Sequence, residues 1–268
     1  MSKLSAQPDP QAASAAVTRH FAGVSQPLSM PLPEVAAGVT VLFAPFYADD
    51  GLTTACAAVL SDAEQQRSER LATPEVRRSF LQRRAFRRYA ASLVTGCGDL
   101  ATLDFAVHAK GRPWLPATPA VSWSVSSCRS GMLVAWSEVF EIGVDVEDRA
   151  RQADCMALAQ RYFASEETQL VATATEATRM TAFLRLWCLK EAVLKGIGEG
   201  IAFGLDRFVF TLDPEVQLVA APADWGGPEA YHACELSGSS LADAAATAAV
   251  VVRCRPPAAS LQSHSAGP

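Results

Sequence analysis

The chain has 268 residues, half of them hydrophobic, enough to bury one large core or two modest ones. Its net charge of -5 argues against general nucleic-acid binding, which normally shows as a basic domain. The seven cysteines are odd in number and include no CxxC pair, so neither a zinc site nor a disulfide framework is expected. Residues 1–36 are rich in Ala, Ser, Gln and Pro and read as a flexible N-terminal extension. They contain no continuous apolar stretch of the signal-peptide kind, and no later run is long enough to span a bilayer, which predicts a soluble, cytoplasmic protein with no membrane partner.

Taken in order, Gly38–Ala44 reads as a strand, and Asp50–Leu71 as a helix with a capping-box pattern at Ser61-Asp-Ala-Glu64. Thr73 and Pro74 open a second helix running to about Thr95. On its helical wheel Arg78 falls with Leu81, Ala85, Phe86, Tyr89 and Leu93 on the apolar face, where an inward guanidinium usually meets an anion. Arg77, Arg83, Arg84, Arg87 and Arg88 read as a solvated face. A strand around Leu103–Val107 leads to the turn Gly111-Arg112-Pro113, which displays Arg112. Strands are expected at Val121–Ser126, Met132–Trp136 and Ile142–Val146, then helices from Cys155 and from Phe163-Ala-Ser-Glu-Glu167. Phe208–Leu212, Val216–Ala220 and Ala245–Val252 read as closing strands, and 256–268 as a flexible tail. Strands and helices fall into two comparable batches, 37–130 and 131–255. The expected fold class is therefore α+β, with two similar α/β lobes.

Two stretches carry chemistry. In Ile142-Gly-Val-Asp-Val-Glu147, strand alternation puts Asp145 and Glu147 on one face. Two such carboxylates either lie exposed at a strand end or share a cation, for which a hard divalent metal is the natural occupant. About forty residues on, Phe183 to Lys195 reads as an amphipathic helix stopped by the glycines of Gly196-Ile-Gly-Glu-Gly200. Lys190 falls on its apolar face with Phe183, Leu186, Trp187 and Leu194, while Glu191 and Lys195 share a second face. Lys190 must therefore reach the surface or meet something negative. Only four lysines occur in the chain, and two stand in this helix.

The acidic strand followed at this distance by Trp187-Cys-Leu-Lys-Glu-Ala-Val-Leu-Lys195 resembles the signature of the 4′-phosphopantetheinyl transferases of the larger, Sfp-like class. Gly111-Arg112-Pro113 is similar to that family's G-K-P turn, Phe163 to Glu167 to its F-S-x-x-E helix start, and Gly198-Glu-Gly-Ile201 to its exit from the signature helix. The resemblance runs from about Val39 to Val252 and implies two pseudo-symmetric lobes around a cleft.

It further implies Mg²⁺ as cofactor and coenzyme A as donor. The acceptor would be a serine of an apo acyl- or peptidyl-carrier protein of fatty-acid, polyketide or nonribosomal peptide biosynthesis, and 3′,5′-ADP would leave. On that footing Asp145, Glu147 and Glu191 are the metal ligands. Glu191, Lys195 and Glu167 are the catalytic groups. Arg78, Arg112, Ser126, Ser127, Lys190 and Lys195 bind the donor. Where the family has an aromatic-Asn-x-Ser-His-Ser strand end, this chain has Trp123-Ser-Val-Ser-Ser-Cys128, so Ser127 stands for the histidine without its charge, and Arg129 is the candidate substitute. That departure leaves a second reading, a non-catalytic module binding coenzyme A or a carrier protein. A pseudo-dimeric chain is expected to be monomeric.

Overall fold

A computed structural model describes residues 9–255. The expected tail at 256–268 lies outside the described residues, as do residues 1–8. The first element is helix α1, Pro10–Val24. It corrects the expectation of a flexible extension. Asp9 caps its first turn and Pro10 stands at the first helical position, where the missing N–H costs nothing. Ala13, Val17 and Phe21, one turn apart, are buried, and Phe21 lies 4.9 Å from Phe86. The stripe is legible only faintly because alanine supplies much of it.

Next come strand β1, Gln26–Pro27, the short helix α2, Pro33–Ala36, and strand β2, Thr40–Pro45. The expected helix over 50–71 is two helices, α3, Asp50–Ala58, and α4, Asp62–Glu69, because the capping box at Ser61 and Glu64 starts a new helix. Helix α5 spans Pro74–Thr95. Of the arginines expected on its solvated face, Arg77 is exposed but Arg84, Arg87 and Arg88 are not free in solvent. Arg88 is 1 % exposed and pairs with Glu64 at 2.6 Å, and Arg84 and Arg87 approach the same carboxylate at 3.5 and 3.7 Å. Arg87 also lies 4.4 Å above the Phe105 ring. One carboxylate from α4 thus gathers three guanidinium groups of α5.

Short strands β3, Ala106–Val107, and β4, Pro113–Trp114, flank the Arg112 turn. Strands β5, Ser122–Ser127, β6, Gly131–Ser137, and β7, Phe140–Asp148, follow. Helices α6, Cys155–Tyr162, α7, Ser165–Thr173, and α8, Glu176–Ile197, lead to strands β8, Val209–Thr211, and β9, Gln217–Ala220. Strand β10, Tyr231–Glu235, helix α9, Ser239–Asp243, and strand β11, Ala246–Cys254, close the fold. Among the described residues no helix is long and apolar enough to cross a membrane.

One sheet has the order β1-β2-β6-β5 and a second β10-β11-β7, with antiparallel pairing throughout both. The division expected at residue 130 falls inside the β5–β6 hairpin, whose strands pair from Ser122↔Ser137 to Ser127↔Met132. Alternation along the strands explains the layering. Val41, Phe43, Leu133 and Ala135 of the first sheet meet Ile142, Val144, Val146, Ala248 and Val250 of the second in one apolar cluster. Leu42, Met132 and Val134 face the other way, onto α1, α3 and α5. Ala249 and Val251 face α8. The result is helix, sheet, sheet, helix.

The odd-numbered residues of β7 therefore face α8, and the two backbones touch. A Cβ at Gly143 would come 1.8 Å from the Ala192 carbonyl oxygen and 2.4 Å from the Gly196 nitrogen. Only glycine permits that approach, which fixes the height of α8 above Asp145. Gly198, with φ 74°, ends the helix in the left-handed conformation, as the glycine pattern predicted.

Candidate active site

The site is built where β7, α8 and the end of β5 meet. Asp145 is 4 % exposed. Its Oδ1 accepts from Ser126 Oγ at 2.7 Å and from Lys195 Nζ at 2.5 Å, while Lys195 also donates to Ser126 Oγ at 2.9 Å. Asp145 Oδ2 is buried and has no partner among the described residues. Glu147, two residues on and on the same face, is paired with Arg151. Burial, and then the neighbouring Asp145 charge, push the Glu147 carboxyl up to about 7. Burial and Asp145 raise Glu191 as well, on the helix above. Asp145 therefore acts on both Glu147 and Glu191, and Lys195 and Arg151 partly relieve the repulsion.

The donor set is all oxygen, as a hard divalent cation prefers, and the orphaned Asp145 Oδ2 leaves a lone pair for it. Among the described residues no three His, Cys, Asp or Glu side chains close around a single point. Lys195 stands on Asp145 and Arg151 on Glu147.

Beside these groups opens a cleft of about 1040 Å³, lined among others by Val76, Ser79, Arg83, Ser127, Arg129, Glu147 and Arg151. Arg83 donates to Ser127 Oγ at 3.2 Å, and burial lowers its pKa. Asp148 accepts from the Arg129 and Ser130 amides and from the Ser130 hydroxyl, which clamps the β5–β6 turn against the cleft.

Several expected site residues stand elsewhere. Lys190 is fully buried and pairs with Glu167, itself 1 % exposed, at 2.5 Å. Lys190 also donates to the carbonyls of Leu205 and Phe208 at 2.8 and 2.5 Å, and lies 5.2 Å from the centre of the Phe163 ring. Glu167 accepts from the amides of Ala164 and Phe210. Burial pushes Glu167 up and Lys190 down, and the pair's own attraction opposes both shifts. All three donors of Lys190 are used inside the fold, and Glu167 meets three donors there. Neither group reaches the cleft, which corrects the donor-binding assignment of Lys190 and the catalytic one of Glu167.

Arg78 is half-buried and is not among the residues that line the cleft. The buried residues of α5 run from Phe80 to Ala91, past the turn that carries Arg78. Arg83, which the wheel put outward, takes the place at the cleft. A signal existed in its spacing of five residues from Arg78, which puts the two on different sides of the helix.

Arg112 donates to Ser122 Oγ at 2.5 Å, and burial lowers its pKa. It lines a separate hollow of about 550 Å³ with His108, Trp114 and Glu141. Ser122 and Ser127 are the two ends of β5, roughly 17 Å apart at about 3.3 Å per residue, so Arg112 and Arg83 are not in one pocket. Lys110 pairs with Glu199, tying the Arg112 turn to the exit of α8.

The profile of a family described as the 4′-phosphopantetheinyl transferase superfamily matches residues 141–249, from β7 into β11. The 4′-phosphopantetheinyl transferase HetI of Nostoc is 31 % identical over 172 residues, covering 62 % of this chain and 72 % of HetI. The chain belongs to the 4′-phosphopantetheinyl transferase superfamily. Other members align over less. The 4′-phosphopantetheinyl transferase psf-1 of Bacillus pumilus is 28 % identical over 46 % of this chain and 52 % of its own length. Sfp of Bacillus subtilis is 24 % identical over 45 % and 52 %. Against these two, the chain spans about half of the relative. In this transferase the matched segment carries Asp145, Glu147, Glu191 and Lys195, whereas Arg83, Arg112, Ser126 and Ser127 precede it.

Proposed function

We propose that the chain transfers the 4′-phosphopantetheine group of coenzyme A to a serine of an apo acyl- or peptidyl-carrier protein, with Mg²⁺, releasing 3′,5′-ADP. The observation that carries this reading is the convergence of Asp145, Glu147, Glu191 and Lys195 beside an arginine-lined cleft, within a family of phosphopantetheinyl transferases.

Asp145, Glu147 and Glu191 would hold Mg²⁺, which when bound neutralises charge on the donor's pyrophosphate. Glu191, whose pKa is raised by burial and by Asp145, is the group to take the proton of the acceptor serine as it attacks the β-phosphorus. Lys195 reaches the same point from the next turn and stabilises the negative charge on the departing phosphate. Ser126 orients both Asp145 and Lys195.

At the far side of the cleft, Arg83 returns to Ser127 the positive charge that the missing histidine would have brought. This favours an active transferase over a non-catalytic module. Arg83→Ala is expected to raise the KM for coenzyme A about tenfold or more, the worth of one charge-assisted hydrogen bond. The kcat should change little. Steady-state kinetics at varied coenzyme A checks it, and an unchanged KM removes Arg83 from the donor site.

The function itself is tested by incubating the protein with coenzyme A, Mg²⁺ and a panel of apo carrier proteins, read by intact mass. One phosphopantetheine added per acceptor is the expected result. With a working control enzyme, no added mass on any acceptor would exclude the transferase reading. Binding of coenzyme A without transfer would support the module instead.

A further inference from the structure

Arg151 has no part in the proposed transfer, yet it is paired with Glu147. It follows β7 by three residues, in the segment 149–154, which has no regular structure. A turn closed by the Arg151 amide on the Asp148 carbonyl, at 3.0 Å, folds the side chain back over the strand end. There its guanidinium pairs with Glu147 Oε1 and lies 5.1 Å from the centre of the Trp187 ring on α8. About a third of the side chain stays exposed, and it lines the same cleft as Arg83 and Arg129.

We infer that Arg151 is a resident counter-cation, which neutralises Glu147 in the resting protein, competes with a divalent metal for that carboxylate, and when displaced turns to the phosphate groups of the donor. The inference rests on the metal and coenzyme A reading above and adds a residue to it. Three observations carry it. First, Glu147 and Asp145 share one face of β7, and among the described residues Arg151 and Lys195 are the only cations in ion pairs with them. Second, the carboxylate of Glu147 is shared ground. A guanidinium on one oxygen withdraws electron density from the site a metal would use, so the two occupants weaken each other. Third, the arginine is held by one ion pair and one aromatic face, on a segment with no regular structure, so moving it costs that pair and the cover of the Trp187 ring. The cleft it lines also presents Arg83 and Arg129, a setting in which a displaced guanidinium would meet an anionic donor. Metal and donor would then help each other, because the first frees a cation for the second.

The test uses the full chain and Mn²⁺ as the metal probe, with free ion read by electron paramagnetic resonance, and calorimetry for coenzyme A. Arg151→Gln is expected to bind Mn²⁺ alone about five- to tenfold more tightly than the parent protein. Arg151→Lys, which keeps the charge, should stay within about twofold. With Mn²⁺ present, Arg151→Gln should lose most of the gain in coenzyme A affinity that the metal gives the parent. A variant that was merely loosened would bind the metal less well, so tighter binding separates the proposal from a structural role. Equal or weaker Mn²⁺ binding by Arg151→Gln overturns the inference and leaves the metal site standing. No Mn²⁺ binding by either protein overturns both.

Discussion

Lys190→Met is expected to destabilise the protein by about 3–5 kcal/mol, the cost of leaving the other half of a buried ion pair uncompensated. Lys190 is fully buried on α8, and its ammonium meets Glu167 of α7 together with two backbone carbonyls from the segment leading into β8. Removing it strands a carboxylate that only two amides would still satisfy. The second change that restores balance is Glu167→Leu. The Lys190→Met/Glu167→Leu double variant should recover the part of the loss that comes from the uncompensated charge. The Leu205 and Phe208 carbonyls and the Ala164 and Phe210 amides stay unpaired in it. Urea unfolding of the three variants measures this directly. If Lys190 contacted donor phosphate instead, Lys190→Met would keep its midpoint and raise the KM for coenzyme A.

Glu191→Gln should behave in the opposite way. A loss of about 10²–10³-fold in kcat is expected from removing a group that acts on the reacting atoms. The melting temperature should hold or rise, because Glu191 is raised by burial and by the Asp145 charge and so repels its neighbours when ionised. Lys195→Ala should lose a comparable factor in kcat and also lose stability, since Asp145, 4 % exposed, gives up the cation on its Oδ1. The two variants thus part on stability while agreeing on rate. A Glu191→Gln protein that melts lower and transfers at the parent rate would refute the role assigned to the carboxylate.

Much of the site was legible in the chain because its spacing is local. Asp145 and Glu147 are two apart on a strand, and Glu191 and Lys195 four apart on a helix, so period alone puts each pair on one face. Gly143 was part of the same pattern, though its reason, a backbone-to-backbone contact with Ala192 and Gly196, belongs to packing. What did not read out was depth. An apolar-face lysine looked the same whether it met a phosphate or an internal carboxylate. Its partner Glu167 lies more than twenty residues away, beyond any periodicity. The arginines of α5 failed for a related reason. A helical wheel assigns a face without saying what covers it, and Glu64 of α4 covers Arg84, Arg87 and Arg88. Helix α1 was hidden by a stripe in which alanine does much of the packing.

The serines of β5 have a consequence outside catalysis. Strand β7 ends its sheet, so one row of its amides has no neighbouring strand to meet. Ser122 Oγ accepts from the Ile142 amide and Ser124 Oγ from the Val144 amide, both at 3.0 Å. Hydroxyls from the other sheet thereby close an open border that would otherwise recruit a strand from a second molecule. The alternation Ser122, Ser124, Ser126 guards against aggregation along most of its length and turns to Asp145 only at its last member.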